Sequence, residues 1–105
     1  MDSIEIIRKA ANKRFLFTQH ALDEMNAEAE LISTGEVRYA IFYGEIIEEY
    51  PEDKRGRSYL MLGKSKTGRT IHVVCAPKDD YLAIITAYVP SLDRWGEDFR
   101  VRRKR

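Results

Sequence analysis

The sequence predicts an α+β domain, with helices first and an antiparallel meander after them. Apolar residues recur at helical spacing as far as Tyr43, the period drops to two from Gly44 onward, and polar turns break the second half at hairpin intervals. At 105 residues, 44% of them hydrophobic, the chain is one domain with one core. The expected architecture is two or three N-terminal helices packed on a four-stranded antiparallel sheet.

Each element has a local reason. Asp2 followed by Glu5 resembles a capping box, and Ile4, Ile7 and Ala11 then share a face, which predicts a helix over 3–13. Arg14 to Phe17 is too short to assign. Thr18 can cap a second helix through Met25 or beyond, because Leu22, Met25 and Ala29 follow an i, i+3, i+7 spacing. That helix sets His20 and Glu24 four residues apart on one face, clear of the apolar stripe. Ser33 with Glu36 makes a stronger capping box, stapled by Ile32 and Val37, so a third helix runs from Thr34 to Tyr43, with Gly44 as its left-handed stop.

Four strands follow. Glu45 to Tyr50 alternates Ile with Glu, Pro51 to Gly56 is a polar turn, and Arg57 to Lys64 is the second strand. Thr67-Gly68 turns the chain into Arg69 to Ala76, and Tyr81 to Val89 closes the meander. The last two runs hold the polar groups of greatest interest, His72, Thr86 and Tyr88. Their parity depends on the turn. A symmetric four-residue loop from Pro77 to Asp80 pairs His72 with Ile85 and sends Thr86 and Tyr88 to the other face. An effective loop of three residues pairs His72 with Thr86, diagonal to Tyr88. The second register is preferred, since it gathers the three polar groups and leaves Val73, Ile85 and Ala87 for the helices.

Composition narrows the function classes. The lone Cys75 excludes an intrachain disulfide and fits a reducing cytoplasm. No apolar run approaches the ~20 residues needed to cross a bilayer, and the charged N-terminus is unlike a signal peptide, so a soluble cytoplasmic protein is expected, with no membrane partner. The net charge of +1 hides an asymmetry: Arg100, Arg102, Arg103, Lys104 and Arg105 supply five of 18 basic residues, leaving the rest of the chain at −4. Residues 1–99 then read as the domain and 100–105 as a basic tail, either a solvated terminus or an electrostatic footprint for phosphate.

Several stretches resemble a known family: H-A-x-x-x-M from His20 to Met25, Tyr50-Pro51-x-Asp53, the run from Gly68 to Pro77, the run from Ile84 to Pro90, and Trp95 with Asp98-Phe99-Arg100. They look like a group of small bacterial and archaeal proteins of unassigned function, grouped with the RelE/ParE-like toxin superfamily and often encoded beside a zinc-finger antitoxin of the MqsA or YgiT type. The resemblance implies a RelE-like fold and an endoribonuclease that cuts mRNA without metal or cofactor. Its partners would be RNA or the ribosome, and an antitoxin with a zinc finger and a helix-turn-helix. Where that family often carries arginines after the histidine, this chain has Glu24 and Glu28, and glutamate repels a phosphate.

Cleavage by a ribose 2′-hydroxyl needs a base, an acid and cations around the phosphate. His20 and His72 are the only histidines and hence the acid and base candidates, joined by Tyr88 as a donor. Arg57 and Arg69 are the expected phosphate ligands, with Arg100 beside them. Tyr59 and Trp95 can stack on a base, and Thr86 completes the face. Each has a structural alternative: packed histidine, core-edge aromatic, solvated arginine. His20, Glu24 and His72 could instead make a two-histidine, one-carboxylate metal set, though no dense ligand motif surrounds them. A different class of function, a non-catalytic protein- or RNA-binding module, would follow if the surface around His20 were negative.

Overall fold

The computed structural model describes residues 1–27 and 31–104. Glu28, Ala29 and Arg105, named above, lie outside the described residues. Helices α1 (Ser3–Lys13), α2 (Gln19–Met25) and α3 (Thr34–Tyr43) pack on one face of a sheet built from β1 (Phe15–Phe17), β2 (Glu45–Tyr50), β3 (Ser58–Lys64), β4 (Thr70–Pro77) and β5 (Leu82–Tyr88). The α+β class holds, but the sheet has five strands and is mixed, in the order β1-β5-β4-β3-β2. The extra strand is Phe15–Phe17, which pairs parallel with β5 through Phe15↔Leu82 and Phe17↔Ile84. Three residues show no legible period; their strand character comes from the open edge of β5, which β1 satisfies as its second partner after β4.

The helix starts follow from side-chain caps. Asp2 accepts from the Glu5 amide, Thr18 from the Ala21 amide, and Ser33 and Glu36 satisfy each other's amides in a complete capping box. The stop of α3 is a correction. Gly44 is extended, at φ −92°, not left-handed. Glycine is needed there because a Cβ would collide with the carbonyls of Ala40 and Leu62. A neighbouring glycine sets the layer spacing: a Cβ on Gly63 would stand 2.6 Å from Ala40 Cα, so β3 and α3 touch backbone to backbone.

The core lies between helices and sheet. Ile7, Ala11, Ala21, Met25, Val37 and Ile41 meet Tyr59, Met61, Ile71, Val73, Cys75, Leu82, Ile84 and Ala87, all buried. Burying each large aliphatic side chain stabilises by roughly 1.5–3 kcal/mol against an exposed reference.

The opposite face is covered differently. Leu60, Leu62, His72, Ala76, Ala83 and Ile85 are buried although none of the three described helices lies there. Part of their cover is a C-terminal hairpin, tied by Gly96 N–H to Val101 C=O at 2.9 Å, Arg103 N–H to Arg94 C=O at 2.8 Å and an antiparallel bridge between Trp95 and Arg102. Residues 100–103 are therefore the return arm of a folded element. Arg100 pairs with Glu45 at 2.5 Å and Arg102 with Glu48 at 2.8 Å, fastening the hairpin to β2.

The β4–β5 register differs from both expected alternatives. Near the turn, Pro77 pairs with Leu82 and Cys75 with Ile84; beyond it, Val74 pairs with Thr86 and His72 with Tyr88. A β-bulge at Ile85 absorbs one residue between the two halves. Continued without it, the turn's own register would set His72 opposite Ala87. The bulge brings His72, Thr86 and Tyr88 to one face, and it leaves Ile85 beside Ala76 and Ala83 on that face, away from the helix layer where it was expected.

Candidate active site

His72 sits at the centre of the hairpin-covered face and is wholly buried. Its Nε2 is 2.9 Å from the Phe99 carbonyl and its Nδ1 is 3.2 Å from the Tyr88 hydroxyl. A carbonyl only accepts, so Nε2 carries the proton, and Nδ1 accepts from the Tyr88 O–H. Trp95 stands edge-on at 4.5 Å between ring centroids, and Arg102 lies over the Trp95 ring at 4.6 Å. Burial pulls the imidazole down to about 4, against the opposing pull of the Phe99 carbonyl and the Glu48 charge, so His72 is neutral at pH 7. Phe99 itself adopts a left-handed φ of 61°, a conformation that aims its carbonyl at the ring.

Around His72 runs a charged network. Glu48 accepts from Arg102 and from the Tyr50 hydroxyl; burial opposes its ionisation, but these donors together hold its pKa below the usual carboxylate range. Burial, with Glu48 beside it, raises the Tyr50 phenol to about 12.

Where β5 ends, a cavity of about 380 Å³ opens between α2 and the hairpin, lined by Glu24, Tyr88, Val89, Ser91, Arg94, Trp95 and Arg102. Glu24 Oε1 is buried without a hydrogen bond, 3.3 Å from His20 Nε2. His20 is 67% exposed, outside the lining of the cavity and beside Glu24. The Arg94 guanidinium has no hydrogen bond or ion pair among the described residues, whereas Arg102 is shared with Glu48. Burial raises the Tyr88 phenol, so its hydroxyl keeps its proton. The cavity thus presents a carboxylate with an unsatisfied oxygen, a fixed hydroxyl and two guanidinium groups. That set can take a proton and hold an anion.

The sequence-chosen residues divide into two groups. Tyr88 and Trp95 line this cavity, His20 reaches it only through its neighbour Glu24, and His72 stands directly behind Tyr88, with Thr86 two residues along the same face. The others lie elsewhere. Arg57 pairs loosely with Glu49 at 3.8 Å, Arg69 grips Glu36 at 2.9 Å beside α3, Arg100 is held by Glu45, and Tyr59 belongs to the helix-side core. Arg94, Arg102 and Glu24 take the places expected of them. The available signal for Arg94 and Arg102 was their spacing around Trp95, although Arg94 falls within the span read as domain and Arg102 within the run read as a basic tail. Asp53 of the Tyr50-Pro51-x-Asp53 stretch is structural: it accepts from Ser58 and Arg55 and closes the β2–β3 turn. His20, Glu24 and His72 do not converge on one point, and among the described residues no cluster of three or more His, Cys, Asp or Glu side chains is placed to hold a metal ion. No helix among them is long and apolar enough to cross a membrane.

Residues 17–89, well over half of the chain, match a family model described as Domain of unknown function (DUF4258). No curated protein and no solved structure matches the chain.

Proposed function

The chain belongs to the DUF4258 family, and we propose that it is an RNA-cleaving toxin of a type II toxin-antitoxin pair, working without metal at the cavity beside Tyr88. The single observation that carries this reading is the convergence of Glu24, Tyr88, Arg94 and Arg102 on one concavity of nucleotide size. The helix layer on a mixed sheet whose last four strands form an antiparallel meander supports a RelE-like fold. In this mechanism Glu24 takes the proton of a ribose 2′-hydroxyl as its oxygen bonds to phosphorus. The P–O5′ bond breaks and protonated His20 gives its proton to the leaving oxygen. Arg94 and Arg102 hold the phosphate oxygens as the charge grows, while the Tyr88 O–H stays committed to His72 Nδ1 and its ring forms the wall of the site. His72 acts as a positioning residue: neutral and sealed, it orients the Tyr88 hydroxyl. The resemblance to RelE/ParE-like toxins supports mRNA as substrate, the cytoplasm as compartment and a zinc-finger, helix-turn-helix antitoxin as partner.

A second reading, a non-catalytic protein- or RNA-binding module, is favoured by one observation. Both nitrogens of His72 are occupied and its ring has no access to solvent. One experiment separates the two. Purified protein incubated with RNA and EDTA should release fragments ending in 2′,3′-cyclic phosphate. Glu24→Gln and Arg94→Ala should each lower kcat/KM by about 10²–10³, and expression should arrest growth. Intact RNA together with unimpaired growth abandons the nuclease in favour of the module.

A further inference from the structure

Cation-bearing concavities also lie outside this cavity, and the one with paired aromatics is built on α3 and reaches Arg100. On α3, Tyr39 and Tyr43 stand one turn apart with ring centroids 4.6 Å apart and planes inclined by 38°. The buried face of α3 is Val37, Ala40 and Ile41, so this aromatic pair is not part of the core; Tyr43 is 75% exposed. Two grooves share Tyr39. One of about 540 Å³ runs toward Lys66 and Arg69, and one of about 320 Å³ runs past Tyr43 toward Lys64 and Arg100. Glu36 and Glu45, the acidic residues lining them, are engaged by Arg69 and Arg100. Lys64 and Lys66 make no hydrogen bond or ion pair through their ammonium groups among the described residues, and both are exposed. Paired rings with uncommitted cations on either side suit alternating bases and phosphates.

We propose that this double groove binds single-stranded RNA, one base stacking on the Tyr39–Tyr43 pair and the flanking phosphates held by Lys64 and Lys66. The proposal rests on the reading above for the choice of RNA and gives it a docking track: Arg100 lines the groove and Arg102 lines the cavity, so a strand can pass from one to the other along the hairpin. Stacking accepts any base, so the track sets affinity and leaves sequence choice to the cavity.

The test uses the full chain and an uncleavable 2′-O-methyl oligoadenylate of about 12 nucleotides, a length within single-strand site sizes, followed by fluorescence anisotropy over a range of salt. Tyr43→Ala should weaken binding about tenfold and Tyr43→Trp should preserve it. Lys64→Glu with Lys66→Glu should weaken it further and lower the slope of log K against log salt by about two. No binding by the native chain, or binding unchanged in these variants, overturns the inference. If Arg94→Ala abolishes cleavage while Tyr43→Ala leaves oligomer affinity untouched, the groove is refuted and the cavity stands. If binding depends on Tyr43 but no RNA is cut, the groove stands and the nuclease falls.

Discussion

The two faces of the sheet are closed by different physics. The helix-covered face is apolar, contiguous and assembled from side chains at regular spacing. The other is covered in part by a hairpin of residues 94–103, held by a buried imidazole, one indole and two arginine–glutamate pairs. Hydrophobic burial is indifferent to pH and salt in the ordinary range, whereas the hairpin's attachments respond to both. The comparison assigns stability to the first face and adjustable chemistry to the second.

The largest effect should come from the helix side. Met61→Ala removes a fully buried side chain beneath α3 and should cost about 3 kcal/mol in urea unfolding, at constant m-value. A loss under about 1 kcal/mol would mean that this core is not the main store of stability.

Next comes His72, with a folded-state pKa of about 4 against an ordinary 6.5. The unfolded chain binds the proton first, so its stabilisation is complete above about pH 6.5. It is lost as pH falls toward 4, by up to about 3 kcal/mol. Glu48, held below its ordinary value, adds a further loss at still lower pH. His72→Gln should flatten the profile between pH 6.5 and 4. A native chain with no slope in that window would remove the sealed imidazole from the account.

Arg102→Ala should cost about 1 kcal/mol, since the pair with Glu48 is partly exposed but reinforced by stacking on Trp95. The loss should shrink in high salt, and near-ultraviolet circular dichroism of the single tryptophan should report the loosened hairpin. Arg57→Ala, whose partner Glu49 is exposed at 3.8 Å, should change thermal unfolding by no more than a few tenths of a kcal/mol.

The same contrast explains what the sequence disclosed. Three helices and four strands were legible because their apolar residues repeat at periods of 3.6 and 2, and because Ser33 with Glu36 and Thr18 supply local starts. Observed strand ends lie within a residue of those expected. Phe15–Phe17 was illegible because three residues carry no period, and Gly44 because close approach and a left-handed turn both select glycine. The hairpin escaped for another reason. Its ionic attachments join positions more than fifty residues apart, Glu45 to Arg100 and Glu48 to Arg102, and composition cannot distinguish such a pair from two solvated charges. The candidate site followed the same division: His20, His72 and Trp95 stood out as rare residue types and Tyr88 by its place in the last strand run, while Arg94 and Arg102 are ordinary until folded.

The bulge at Ile85 works like a gear tooth between the two ends of β5. Shortening the Lys78–Tyr81 connection by one residue would shift the pairing of the near end, yet the far end could be returned to its place only by compensating at Ile85. Homologous chains with a different loop length should therefore carry a matching change at that spot, and a graft of this loop alone would misalign Tyr88 with the imidazole it serves.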